Sequence, residues 1–388
     1  MNAVFVTIRK SMPLCLILII AFITFQGCGS RSDLPKDVST PESSGEIGSN
    51  APEMQGIAHW INSEPLILDN LEGKVVLIDF WTYTCVNCIR TLPYLKQWNE
   101  KYADHGLVII GVHAPEFEFE QNLENLKAAV DEFGIDWAIA QDNEFKTWKA
   151  FGNRFWPAKY LIDNEGIIRY THFGEGNYHD TEMAIRKWLA NAGYELYDID
   201  ISPDFGQNQH KLATSRNIKK RQTRELFAGL KFNIRAQPPY MVQAEMYNNS
   251  PDSLILLDDP GEHVNHFLYF HGLWSNGVES VKHGRETEDL EDYVALKFLG
   301  TSANVVVGDS TDSYQVYATI NNNPITISER GSDIKEDPNG KTYLLIDSSR
   351  MYNIMSSSDY VERELKLMSN SRDFSVFSFT FGSYPTGP

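Results

Sequence analysis

A chain of 388 residues with 42% hydrophobic and 12% aromatic side chains has enough apolar material for two ordinary packed domains and a polar tail. Its formal net charge of −18 argues against nucleic acid and anionic membrane surfaces as electrostatic partners. Of four cysteines only Cys85 and Cys88 form a C-x-x-C, and no second C-x-x-C or H-x-x-x-H completes a tetrahedral set, so a metal site is not expected.

The chain begins with Arg9 and Lys10 ahead of the apolar run Met12 to Phe25, the pattern of a secretory signal and shorter than the ~20 residues of a membrane-spanning helix. Gly27-Cys28 follows, which resembles a bacterial lipoprotein signal: residues 1–27 are expected to be removed and Cys28 lipidated, anchoring the chain to the bacterial membrane on its periplasmic or outer side. An uncleaved anchor or ordinary cleavage are the alternatives; each puts the remainder outside the cytoplasm, where disulfides persist. Residues 28–52, rich in Ser, Pro and Gly, are expected to be a flexible tether.

The first domain is expected over residues 53–196. Ile57 to Leu68 suggests a short strand pair, and Val75 to Trp81 a buried strand running into a helix that carries Cys85 and Cys88 in its first turn and ends near Gly106. Leu107 to Val112 reads as a strand, Glu118 to Phe133 as a helix, Trp137 to Ala140 as a strand and Asn143 to Phe151 as a short helix. Tyr160 to Ile162 and Ile167 to Tyr170 form a hairpin, and Asp180 to Ala192 a closing helix. Such alternation gives an α/β sandwich around a mixed sheet. Residues 197–224 read as a connector, and 225–388 as an all-β sandwich of jelly-roll type with strands at Leu254 to Leu257, Phe267 to Phe270, Tyr293 to Phe298, Asn304 to Val307, Tyr314 to Ile320, Tyr343 to Ile346, Glu364 to Leu367 and Phe374 to Phe381.

A cysteine at a helix start meets unpaired N–H groups and the positive dipole end, and C-x-x-C sites lower the attacking thiol's pKa from ~8.5 into roughly 3.5–7.5. Cys85 is the expected nucleophile, and Cys88, one turn on, resolves the mixed disulfide; a purely structural disulfide is the bland alternative. Asp79, an acid inside an apolar strand, is either the base for Cys88 or a hydrogen-bonded core acid. No cofactor is expected beyond the redox-active dithiol itself.

The run D-F-W-x-x-x-C-x-x-C, with Pro93 five residues later, resembles a thioredoxin active site, and the insertion from Pro115 to Ala140 resembles the extracytoplasmic TlpA/ResA branch. WTYTCVNCIRTLPYL, GVHAPEFEFE and DNEFKTWKAFGNRFWPAKYLID resemble the soluble C-terminal part of DipZ-type proteins, and more weakly TRELFAG (Thr223 to Gly229), YVALKF and FSFTFG do so in the second domain. The resemblance implies that Pro157 is a cis-proline facing the cysteines, that Trp156 presents its backbone to a substrate strand, and that Trp81 also lies at the substrate site. It implies a reductase of protein disulfides, as in cytochrome c maturation, served by a separate membrane electron donor of the CcdA or DsbD type. ResA-like reductases have a glutamate where this chain has Thr91, leaving Asp79 as the acid carried over. His113 and Glu116 are expected to be structural. The second domain is expected to resemble carbohydrate-binding modules; Tyr269, Trp274, Tyr314 and Tyr352 would stack on a glycan or, as favoured, pack the core. Rival functions are a thiol peroxidase and a glycan-binding surface lipoprotein with an accessory redox domain.

Overall fold

The computed structural model describes residues 45–203, 222–308 and 312–382. The leader and Cys28, with the signal and lipidation expected there, lie outside these residues, as does most of the connector.

In the first domain six strands lie in the order β1-β4-β3-β2-β5-β6: β1 (His59–Ile61), β2 (Val75–Trp81), β3 (Leu107–His113), β4 (Ala138–Gln141), β5 (Ala158–Ile162) and β6 (Ile168–Phe173). β2 is central, parallel to β3 and antiparallel to β5, and all of its residues are buried. The two-residue alternation of a strand divides it. Val75, Leu77 and Trp81 pack with α1 (Val86–Tyr102), α2 (Leu123–Glu132) and α4 (Tyr178–Asn191), while Val76, Ile78 and Phe80 meet α3 (Lys146–Ala150) and the N-terminal segment.

Four boundaries differ from expectation. The 57–68 strand pair is β1 alone, which pairs with β4 (His59↔Gln141), because Asn62 turns the chain in the left-handed region at φ 63° and donates to the Ile135 carbonyl at 2.8 Å. The helix expected from Glu118 starts at Leu123, where the Asn122 side chain caps the Glu124 N–H at 2.9 Å. Residues 45–52, placed in the flexible tether, are pinned against β6: Gly48 N–H donates to Ile168 O at 2.8 Å and Ala51 N–H to Gly166 O at 2.9 Å. The first part of the connector folds onto α1 and α4, with Lys101 donating to Asp200 O and Arg186 to Ile199 O, each at 2.8 Å.

The second domain is mostly strands and forms a β sandwich: β7 (Leu226–Phe227), β8 (Leu254–Leu257), β9 (Leu268–Asn276), β10 (Val281–His283), β11 (Tyr293–Val307), β12 (Tyr314–Ile320), β13 (Asn323–Pro324), β14 (Ile334–Glu336), β15 (Thr342–Ile346), β16 (Arg350–Met368) and β17 (Ser375–Gly382). The segments expected at 293–298 and 304–307 are one strand, and 364–367 is the end of a much longer one. β11 and β16 pair along nearly their whole lengths with a register shift between Gly300 and Ser302. Before that bend β11 pairs with β9, and beyond it with β17, so a single strand serves both layers. Gly300 is required there, since a Cβ would sit 2.8 Å from the Gly382 carbonyl oxygen. Tyr269, Trp274 and Tyr352 are buried in this domain as core side chains, and Tyr314 packs partly buried against it.

Candidate active site

Cys85 is the N-cap of α1. It holds an extended backbone (φ −79°, ψ 108°), and its sulfur accepts the Cys88 N–H at 3.3 Å. Both thiols are free; Cys85 is half-buried and Cys88 fully buried behind it. The Cys88 thiol is pushed well up by burial first, then by its hydrogen bond to Cys85, the Cys85 charge and the more remote Asp79 charge. Cys88 is thus the protonated, shielded member of the pair. Thr91, where the resemblance looks for a glutamate, is buried and donates to Cys88 O at 2.8 Å, a bond within the helix.

Asp79 lies on the α1 side of β2, directly across the ladder from Lys159 of β5, whose ammonium is 3.0 Å from its carboxylate. The two side chains are 2% and 1% exposed, so both charges are removed from bulk solvent. Burial raises the Asp79 carboxyl, and the Lys159 charge opposes that rise. Lys159 escaped the sequence reading, although a lysine inside AKYLI is as anomalous as the acid.

The Trp156–Pro157 bond is cis. The Trp156 indole donates to Ala114 O at 3.0 Å and lies 4.4 Å from the Trp148 ring, which fixes the loop ahead of β5 beside Cys85. Trp81, expected at the substrate site, is instead 1% exposed. Its place on β2 turns it into the core, edge-on to the His113 ring at 5.4 Å.

Above the thiols the second domain closes a cleft. Cys85, Val86, Asn87, Arg90, Glu116, Trp156 and Glu175 face Gln222, Thr223, Arg224, Glu225, Pro238, His266, Phe267, Thr380 and Phe381 across a cavity of about 750 Å³. The far wall is stitched to the β domain. Thr223 exchanges hydrogen bonds with Leu299 (3.1 and 2.7 Å), Gln222 donates to Phe381 O, and Arg224 donates to the Pro238 and Pro239 carbonyls, each at 3.1 Å. Glu116 and Glu225 share the cleft with Cys85. The Glu116 carboxyl is raised by burial, then by the negative charges of Glu225, Glu120 and Cys85; Glu225, open to the water of the cleft yet walled by protein, is raised by the desolvation that wall imposes.

The segment Gly111 to Glu120 holds the two domains together. Phe117 and Phe119 insert among Phe227, Phe232 and Phe377, with Phe117–Phe377 centroids at 5.2 Å and Phe119–Phe377 at 4.9 Å. Lys231 donates to Glu116 O at 3.3 Å and pairs with Glu279 at 2.5 Å, and Glu279 accepts the Glu118 N–H at 2.7 Å. Glu120 turns back and is buried. It accepts Thr82 and Thr84 hydroxyls at 2.6 Å each and the Phe117 N–H at 3.0 Å. His113, also buried, stacks on Tyr83 at 5.5 Å and is held neutral by burial, its pKa lowered to about 3.

A helix-capping cysteine, a buried partner behind it, a buried acid whose charge acts on that partner and a cis-proline ahead of β5 mark a thioredoxin-like dithiol domain, here joined to a β-sandwich domain. The comparisons with known proteins agree: residues 47–171 match the AhpC/TSA family, and residues 243–382 match the family described as a thioredoxin like C-terminal domain. The chain is 46% identical over 145 residues to protein DipZ of Mycobacterium bovis, covering 37% of this chain and 21% of DipZ, so it spans about a fifth of that relative's length. It is 29% identical to the thiol-disulfide oxidoreductase YkuV of Bacillus subtilis, over 36% of this chain and 93% of that protein. Among solved structures, a thioredoxin-like protein in the oxidised form is 29% identical with a TM-score of 0.35, covering 37% of this chain and 97% of that one.

Proposed function

We propose that the protein is an extracytoplasmic thiol-disulfide oxidoreductase working in the reducing direction on protein disulfides. The observation that carries this reading is the asymmetry of the dithiol: Cys85 opens into the cleft at a helix start, while Cys88 is wholly buried and held as the thiol. The Cys85 thiolate attacks one sulfur of the substrate disulfide; a new S–S bond forms, the substrate bond breaks, and the departing sulfur takes a proton. Cys88 then gives its proton to a base and attacks the Cys85 sulfur, releasing the second substrate thiol. Two electrons pass from the dithiol to the substrate, and an external dithiol donor must restore the pair. Asp79, raised by burial and acting on the Cys88 charge, is the base in this scheme.

Anchoring through lipidated Cys28, electron supply by a membrane donor and service in cytochrome c maturation extend the same reading. The similarity to DipZ supports the placement outside the cytoplasm. No helix among the described residues is long and apolar enough to cross a membrane. Disulfide reduction by the purified chain with dithiothreitol as donor, hydrogen peroxide being the parallel substrate, tests the proposal. Cys85→Ser should abolish protein disulfide reduction, and Cys88→Ser should accumulate a mixed disulfide visible by mass. Peroxide turnover without disulfide reduction would instead favour a thiol peroxidase.

A further inference from the structure

One proton in the reduction has no source among Cys85, Cys88 and Asp79. Two thiols are made from each substrate disulfide. Cys88 brings one proton, and Cys85, attacking as the thiolate, brings none. The first sulfur to depart is a bare thiolate until a group in the cleft protonates it. Asp79 is fully buried and forms no part of the cleft wall, so it serves Cys88 and not the departing group.

Two carboxyls share the cleft with Cys85, Glu116 from the first domain and Glu225 from the second. Their backbones are held on both sides. The Glu116 N–H donates to Glu120 Oε2 at 2.5 Å, and the Glu116 carbonyl accepts Lys231 at 3.3 Å. Glu225 stands between Arg224, whose N–H donates to His266 Nδ1 at 3.2 Å, and Leu226, which pairs with Phe379 of β17. The nearby cations have other partners: Arg90 pairs with Glu175 at 3.5 Å, Arg224 donates to the Pro238 and Pro239 carbonyls at 3.1 Å each, and Lys231 pairs with Glu279 at 2.5 Å. Among the described residues neither carboxyl forms an ion pair.

Burial raises both carboxyls, Glu225 to about 7, and after burial the Glu225 charge raises Glu116 further, with only weak opposition from Lys231. Two carboxyls that act on one another in this way do not both ionise readily, so the pair retains a proton near neutral pH. The Cys85 charge also acts on Glu116, which ties the pair to the state of the attacking sulfur. An alkyl thiolate, whose thiol has an ordinary pKa of ~8.5, takes a proton from an acid near 7 downhill.

We propose that the Glu116–Glu225 carboxyl pair donates the proton to the first departing substrate sulfur, the second domain thereby supplying half of a catalytic group. This rests on the oxidoreductase reading and adds a residue pair to it. As Cys85 Sγ bonds to one substrate sulfur, the substrate S–S bond breaks; the other sulfur keeps the bonding electrons and takes the carboxyl proton. The carboxylate regains a proton from water. The proton that Cys88 gives up balances the second thiol, so two electrons and two protons reach the substrate, and the external dithiol donor restores the pair.

The test reads the attack step alone, in the full chain carrying Cys88→Ser, with the rate of the Cys85→Ser, Cys88→Ser chain subtracted. Two uncharged disulfides are compared at neutral pH. Hydroxyethyl disulfide releases a strongly basic alkyl thiolate, whereas nitrophenyl disulfide releases an arylthiolate stabilised by its ring, which leaves without a proton. Glu116→Gln with Glu225→Gln should lower the alkyl-to-aryl rate ratio roughly 100-fold, the low end of what a positioned proton donor supplies. A mere charge effect on Cys85 would change both rates alike and leave the ratio where it was. In the chain that keeps both carboxyls, heavy water should slow the alkyl reaction relative to the aryl one, a measurement that does not depend on how the variants fold. A ratio unmoved by the double substitution, or an equal isotope effect for the two disulfides, overturns the proposal while leaving the oxidoreductase reading standing. Absence of Cys85-dependent reaction with either disulfide overturns that reading itself.

Discussion

Asp79 and Lys159 face each other across β2 and β5 with almost no exposed surface, and that geometry separates stability from chemistry. Removing one member of a buried ion pair strands the other and costs about 3–5 kcal/mol, whereas replacing both by apolar residues is often close to neutral. Asp79→Asn should therefore lower the urea midpoint strongly, while the double substitution Asp79→Leu with Lys159→Met should recover most of it. Resolution of a trapped Cys85 mixed disulfide should be roughly 100-fold slower in both variants, the lower end of what a positioned base supplies. Resolution at the wild-type rate in the double variant would reduce Asp79 to a structural acid. Asp79 was legible in the sequence as an acid in an apolar strand. Its pairing with Lys159 was not, even though that lysine also stands in an apolar strand, because cross-strand register is set by tertiary pairing that local periodicity does not encode.

The segment Gly111 to Glu120 shows what an element does when its charges and rings point opposite ways. Phe117 and Phe119 face the second domain while Glu120 folds back onto Thr82 and Thr84, so the stretch read as the start of a helix is a single 3-10 turn (Glu118–Gln121) saturated on both sides. His113, expected to be structural, is itself a fully buried member of this segment, at the end of β3. In the unfolded chain its imidazole takes up a proton below its ordinary 6.5, whereas in the fold it stays neutral down to about 3. Between those values the unfolded state binds the extra proton, so this contribution to stability is lost as pH falls below 6.5, at about 1.4 kcal/mol per pH unit. His113→Gln cannot titrate. The unfolding free energy of wild type relative to this variant should fall by about 2 kcal/mol between pH 7 and pH 5, measured by urea denaturation. A pH-independent difference would mean that the imidazole is already hydrated in the fold. The Val75 strand, the thiol helix and the α/β alternation were all readable because each repeats a local period; the lengths of β11 and β16 were not, since a bend at Gly300 breaks the pattern in the middle of a single strand.

At the scale of the molecule the two domains are joined by few but large side chains. Phe117→Ala removes a ring shared by both, at a cost of about 3–5 kcal/mol if the domains unfold together. The expected signature is a split of one thermal transition into two, accompanied by faster labelling of Cys85 with a bulky maleimide while labelling by a small alkylating agent changes little. A single transition with unchanged labelling would show that the hydrogen bonds of Lys231 and Glu279 suffice to hold the roof. None of this was visible in composition: residues 222–224 read as the end of a polar connector, and only folding brings them over Cys85.

The bend at Gly300 has a mechanical side. Leu299 carries Thr223, Gly300 abuts Gly382, and Phe381 holds Gln222, so the rim of the cleft hangs from the corner where β11 passes between layers. A residue change buried in the sandwich at this corner, touching neither cysteine nor cleft, is therefore expected to shift the rim over Cys85 through these contacts.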